Sequence, residues 1–185
     1  MAALSAKNVA LALNSVTHFR GYDDFVARGK QRVLWLCQSG QRFHTQSLAM
    51  LVNSLVKRRA ADPEVLSECA RVAVQIPPSD YSPQAIAIIL NGFSKSGRTD
   101  DAKELFAYLS YVATELPPQR WDAQGTALLL NSFARARVSD PTLFQAFSQI
   151  AQSLPLEAFS AQNIANIVNA LGKMGFRDLA LLSPT

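Results

Sequence analysis

The sequence predicts an all-α protein, an α-solenoid of about five antiparallel helical hairpins. Three observations carry this. An apolar leader recurs at Leu4, Phe43, Tyr81, Trp121 and Phe159, in steps of 39, 38, 40 and 38 residues. Each leader is followed ten residues later by Asn, at Asn14, Asn53, Asn91, Asn131 and Asn169. Asp stands nineteen residues after each leader, at Asp23, Asp62, Asp100, Asp140 and Asp178. A fixed period of this size marks stacked supersecondary units. The chain of 185 residues therefore divides into repeats at 4–42, 43–80, 81–120, 121–158 and a partial unit at 159–185, all within one domain spanning 1–185.

Each unit opens with helix A. The leader at position zero precedes Ser5, His44, Ser82, Asp122 or Ser160, and four of these five are good N-caps. Pro83 suits a first turn. Position five is Val9, Leu48, Ile86, Thr126 or Ile164, which pairs with the leader as a hydrophobic staple. Position six is always Ala (Ala10, Ala49, Ala87, Ala127, Ala165), small enough for a neighbouring helix to approach closely. In the last unit Ile164, Ala165, Ile167, Val168 and Leu171 share one side at helical spacing. Helix A is expected over positions two to fifteen. Its last turn carries His18, Lys57, Lys95, Arg135 or Lys173, whose cations complement the helix dipole.

Helix B starts at the recurrent Asp, twice followed by Pro (Pro63, Pro141), a specific start signal. It ends before Pro77, Pro117 or Pro155, since proline cannot continue a helix. The first unit has Ser39 and Gly40 there. Ten helices are expected. "RVLWLCQ" alone looks β-like, and only the register assigns it to helix.

Composition bounds the rest. Apolar residues at 49% and charged residues at 17% allow a core and exclude disorder. No apolar run approaches the ~20 residues of a membrane span. Lys plus Arg exceed Asp plus Glu, 18 to 14, a mildly basic balance that permits a polyanion partner without demanding one. Cys37 and Cys69 fit no metal-ligand spacing and read as buried thiols. The repeat begins at Leu4, leaving no visible signal or transit peptide, and neither end carries a polar cap. A longer chain or a partner is therefore expected to cover the end faces.

Catalysis has no support. The only histidines, His18 and His44, occupy different repeat positions, and no glycine-rich loop, carboxylate pair or nucleophile motif is present. No catalytic residue, metal, cofactor or small-molecule substrate is assigned, and capping accounts for the recurrent Asp.

Position ten lies one turn from position fourteen and two turns from position three. The Asn residues therefore share a stripe with Gln46, Gln84, Gln124 and Gln162 and with the terminal cations. Two roles are open for the Asn: holding one repeat to the next, or presenting amides to a ligand. The first is favoured, because every junction is alike. For the basic residues Lys57, Arg58, Arg59, Lys95, Arg98, Arg135, Arg137, Lys173 and Arg177, contact with RNA phosphates is favoured over a merely solvated surface.

Motifs such as "SPQAIAIILNGFSKSG" and "SAQNIANIVNALGKMGFRD" resemble the octotricopeptide repeats of algal organelles and the related heptatricopeptide repeats of apicomplexans and their relatives, which often accompany RAP domains. The resemblance covers essentially the whole chain. It implies a helical solenoid that binds organellar RNA, in a mitochondrion or alternatively a plastid. Octotricopeptide repeats usually have Trp where this chain has Asn, which tilts the resemblance to the heptatricopeptide side. The expected function is a non-catalytic structural component of a mitochondrial ribosome, contacting rRNA and neighbouring proteins of that large complex, without membrane insertion. The alternative is a protein scaffold or assembly factor in another organellar complex.

Overall fold

The computed structural model describes residues 4–57, 62–97 and 102–176. Among them the chain is all helical, with no strand. The A helices are α1 (Ala6–Ser15), α3 (Thr45–Lys57), α5 (Pro83–Ser96), α7 (Ala123–Ala136) and α9 (Ala161–Lys173). The B helices are α2 (Asp23–Gln38), α4 (Pro63–Gln75), α6 (Lys103–Glu115) and α8 (Pro141–Ser153). The A helices lie side by side in chain order and the B helices form a second layer, so each unit is a hairpin stacked on the last. "RVLWLCQ" lies within α2. The tenth expected helix would lie outside the described residues.

Local chemistry sets these boundaries. Ser5, Ser82, Asp122 and Ser160 each accept a hydrogen bond from the backbone N–H three residues on. Asp62 and Asp140 cap α4 and α8 by accepting from Val65 and Leu143, with Pro following. Asp23 differs from expectation. Tyr22 holds the N-cap position, no side chain caps α2, and Asp23 is instead an acidic first-turn residue, favoured there by the helix dipole. Asp100 and Asp178 lie outside the described residues. Helix α1 also stops early, at Ser15, whereas α5 and α7 fill the expected span. Before three leaders the chain makes a single 3₁₀ turn, at Pro78–Asp80, Pro118–Arg120 and Leu156–Ala158.

The core runs between the layers. The leaders Phe43, Tyr81 and Trp121 are buried, as are their staple partners Leu48, Ile86 and Thr126. Burying such a leader contributes roughly 1.5–3 kcal/mol. Trp121 meets Phe147 edge-on at 4.6 Å, and Phe106 meets Phe133 at 5.1 Å. Ala10, Ala49, Ala87 and Ala127 are buried where A helices meet. Position eleven is small too: a Cβ added at Gly92 would sit 2.5 Å from Val52 Cγ1. This is why the A layer packs more intimately than the B layer. In α9 only part of the apolar side is covered. Ile167 and Leu171 are buried, but Ile164, Ala165 and Val168 are exposed, because no described helix follows α9 as α7 follows α5. Cys37 and Cys69 are free and buried.

Candidate nucleic-acid interface

Lys57, Lys95, Arg135 and Lys173 occupy the last turns of α3, α5, α7 and α9. Because these helices are neighbours in equal register, their cations form one ridge along an edge of the A layer. Lys95 records the crowding. Its ammonium is held below the ordinary lysine range, first by partial desolvation and then by repulsion from Arg135 and Lys57. At the far end Arg135, Arg137 and Lys173 line a cleft of about 530 Å³ with Ala134 and Met174, and no described carboxylate lines it. The structure thus brings Lys57, Lys95, Arg135, Arg137 and Lys173 onto one edge. Arg58, Arg59, Arg98 and Arg177 lie outside the described residues.

The sequence singles out Arg137 for its charge alone, and its backbone adds a finding. It sits in the left-handed region at φ 56°, and no other described non-glycine residue has positive φ. The equivalent residues of the third and fifth units are Gly97 and Gly175, at φ 74° and 70°. The turn closes when Val138 N–H bonds Phe133 C=O, as Phe176 N–H bonds Leu171 C=O in the fifth unit. Glycine adopts this conformation freely, whereas a side chain costs about 1–2 kcal/mol. The fourth unit therefore holds a cation where glycine would be easier. The signal is present in the sequence as the shared count from the leader.

Next to the ridge is a groove of about 630 Å³ on α1, α3 and α5. It is lined by Asn14, His44, Gln46, Asn53, Ser82 and Gln84, among others. Gln124 and Gln162 are exposed in the same register on α7 and α9. Asn91 and Asn131 are 9% and 8% exposed, while Asn14 and Asn169 are exposed and Asn53 is half-buried. Among the described residues, one Asn of the row has a side-chain contact with the next repeat. Ser54 Oγ is 3.2 Å from Asn14 Oδ1 and 2.7 Å from Met50 O, and the shorter bond takes the hydroxyl proton. No side-chain hydrogen bond joins Asn91 or Asn131 to any described residue. Nor are their amides sealed: among the described residues the enclosed polar atoms without partners are Trp121 Nε1 and Thr126 Oγ1. The two amides are thus largely buried, unpaired and open to the surface.

Among the described residues, no group of three or more His, Cys, Asp or Glu could hold a metal ion. No described helix is long and apolar enough to cross a membrane. Residues 2–184 match the model of the RNA-editing substrate-binding complex 6 protein family, RESC6. The chain belongs to the RESC6 family. The match is to this family rather than to the octotricopeptide or heptatricopeptide families that the motifs resemble. No curated protein matches the RESC6-family chain.

Proposed function

We propose that this chain is a non-catalytic, RNA-associated solenoid that works within a complex binding RNA-editing substrates in the mitochondrion. The observation that carries this reading is the ridge of Lys57, Lys95, Arg135 and Lys173, crowded enough to hold Lys95 below its ordinary range. Cations on long side chains at helix ends neutralise phosphates without reading sequence, so the ridge orients and holds a strand. The family is named for an RNA-editing substrate-binding complex, which favours editing-substrate RNA over the rRNA expected from sequence. The exposed aromatics Phe19, Tyr22 and Trp35 offer surface for protein neighbours in such a complex. Ultraviolet crosslinking followed by peptide mass spectrometry tests the reading. Crosslinked RNA on peptides containing Lys95 or Arg135 is expected. Recovery of protein crosslinks alone, with no RNA on any peptide, would favour a protein scaffold and sink the proposal.

A further inference from the structure

We infer that the amide row beside the ridge, from the groove on α1, α3 and α5 onward to Asn91 and Asn131, receives the base edges of an unpaired RNA strand. The inference rests on the RNA reading above and adds which form of RNA is bound and which groups read it.

Asn91 and Asn131 are placed deeply, and little holds them there. They are 9% and 8% exposed, yet neither amide bonds any described residue. The nearest candidate partner is position eleven of the next unit, as Ser54 lies 3.2 Å from Asn14 Oδ1, but Ser54 gives its proton to Met50 C=O at 2.7 Å. The other units offer no better partner. Position eleven of the third and fifth units is Gly92 and Ala170, which carry no hydroxyl. In the fourth unit Ser132 donates its proton to Leu128 C=O at 2.6 Å. Recurrence of Asn through units that lack the partner calls for something outside the chain.

The chemistry of an amide fits a base edge. Its donor and acceptor lie side by side, the arrangement that pairs bidentately with a nucleobase. Position ten is one turn from position fourteen, about 6 Å along the axis. A strand whose phosphates follow the ridge would then lay its bases into the groove, towards Asn53, Gln46 and Gln84, and along the same register towards Asn91, Gln124 and Asn131 on α5 and α7. A paired RNA helix serves this poorly, since its Watson–Crick edges are occupied, its deep, narrow major groove admits no side chain, and its shallow minor groove is recognised mostly by shape. An extended peptide offers similar groups to an amide ladder, but it gives no reason for a row of cations along the same register.

The test measures full-chain binding to an unpaired mixed-sequence oligoribonucleotide and to the same sequence as a duplex. The parent should prefer the unpaired strand. Asn91→Ala with Asn131→Ala should weaken unpaired binding by about tenfold, the scale of a good amide–base pair, with the salt slope and thermal midpoint unchanged. Gln84→Ala, at an exposed position, should weaken it in the same way without risk to folding. RNA binding that ignores pairing, or that survives all three substitutions, overturns this inference and leaves the RNA reading standing. A fall in thermal stability of the double variant without a loss specific to unpaired RNA assigns the Asn a structural role and also overturns it. A parent that binds no RNA ends both.

Discussion

In the B layer, Asp62 caps α4 with one carboxylate oxygen and takes Lys30 of the previous unit on the other at 2.8 Å. Asp140 repeats the arrangement, capping α8 through Leu143 N–H while Ser110 of the previous unit donates to its second oxygen. In the A layer, Asn91 and Asn131 recur just as regularly, and their side-chain amides bond no described residue. The contrast teaches how to read a repeated polar residue. A repeated Asp whose two oxygens are both taken belongs to the architecture. A repeated Asn left largely buried and unpaired points to something outside it.

The largest effect should come from A-layer packing. Gly92→Ala places a methyl 2.5 Å from Val52 Cγ1, a stiff and fully buried side chain. Overpacking costs about 1–3 kcal/mol and the better helix propensity of Ala returns up to about 1, so a net loss of about 1–2 kcal/mol is expected in urea denaturation. A neutral result would show that the A helices do not approach closely at this point.

Asp140→Ala should cost about 0.5–2 kcal/mol through loss of the α8 cap. RNA affinity should not change. A loss of RNA affinity at unchanged stability would blur the distinction between the layers.

Arg137→Gly should move the two readouts in opposite directions. Relief of the left-handed conformation should raise stability by up to about 1 kcal/mol, while loss of the cation weakens RNA binding. Arg137→Lys should keep most of the affinity and none of the stability gain. If Arg137→Gly lowers stability, Arg137 is holding the elbow rather than serving the ridge.

The smallest effect is a pH dependence in which both layers gain stability as pH rises, the B layer across the carboxylate range and the A layer across the lysine range. For Asp62, burial pushes the carboxyl up, but Lys30 and the Val65 N–H hold it below its ordinary range. Its stabilisation is thus present above the ordinary carboxyl range and fades as pH falls through the lowered value. Lys95 is also held low, and here the fold disfavours the charged form. Its penalty is present at neutral pH and disappears above the ordinary lysine range. RNA phosphates should draw Lys95 back up, so RNA binding should be accompanied by proton uptake at alkaline pH. That uptake should vanish in Lys95→Met.

Much of the fold is legible in the period, the Ser and Asp caps and the Pro63 and Pro141 starts, because these signals act within a few residues. Asp23 misleads because it shares the count but follows Tyr22 after a first helix that ends early. The 3₁₀ turns before Tyr81, Trp121 and Phe159 have no repeated signal of their own, although Pro78 and Pro118 sit where such a turn begins. The ridge is legible, since equal counts become neighbours once helices stack. The bonding state of Asn91 is not, because it depends on a residue about forty positions away and on which acceptor Ser132 prefers.

The central claim is that the A-layer ridge holds RNA phosphates, and salt dependence measures that most directly. The logarithm of affinity for an unpaired oligoribonucleotide is plotted against the logarithm of salt concentration, for the parent and for Lys57→Ala, Lys95→Ala and Arg135→Ala combined. The account predicts a slope flatter by about 0.7 for each phosphate left without its cation, hence roughly 2 for the triple variant, with weaker binding across sequences alike. Equal affinity and equal slope for the two proteins would contradict it.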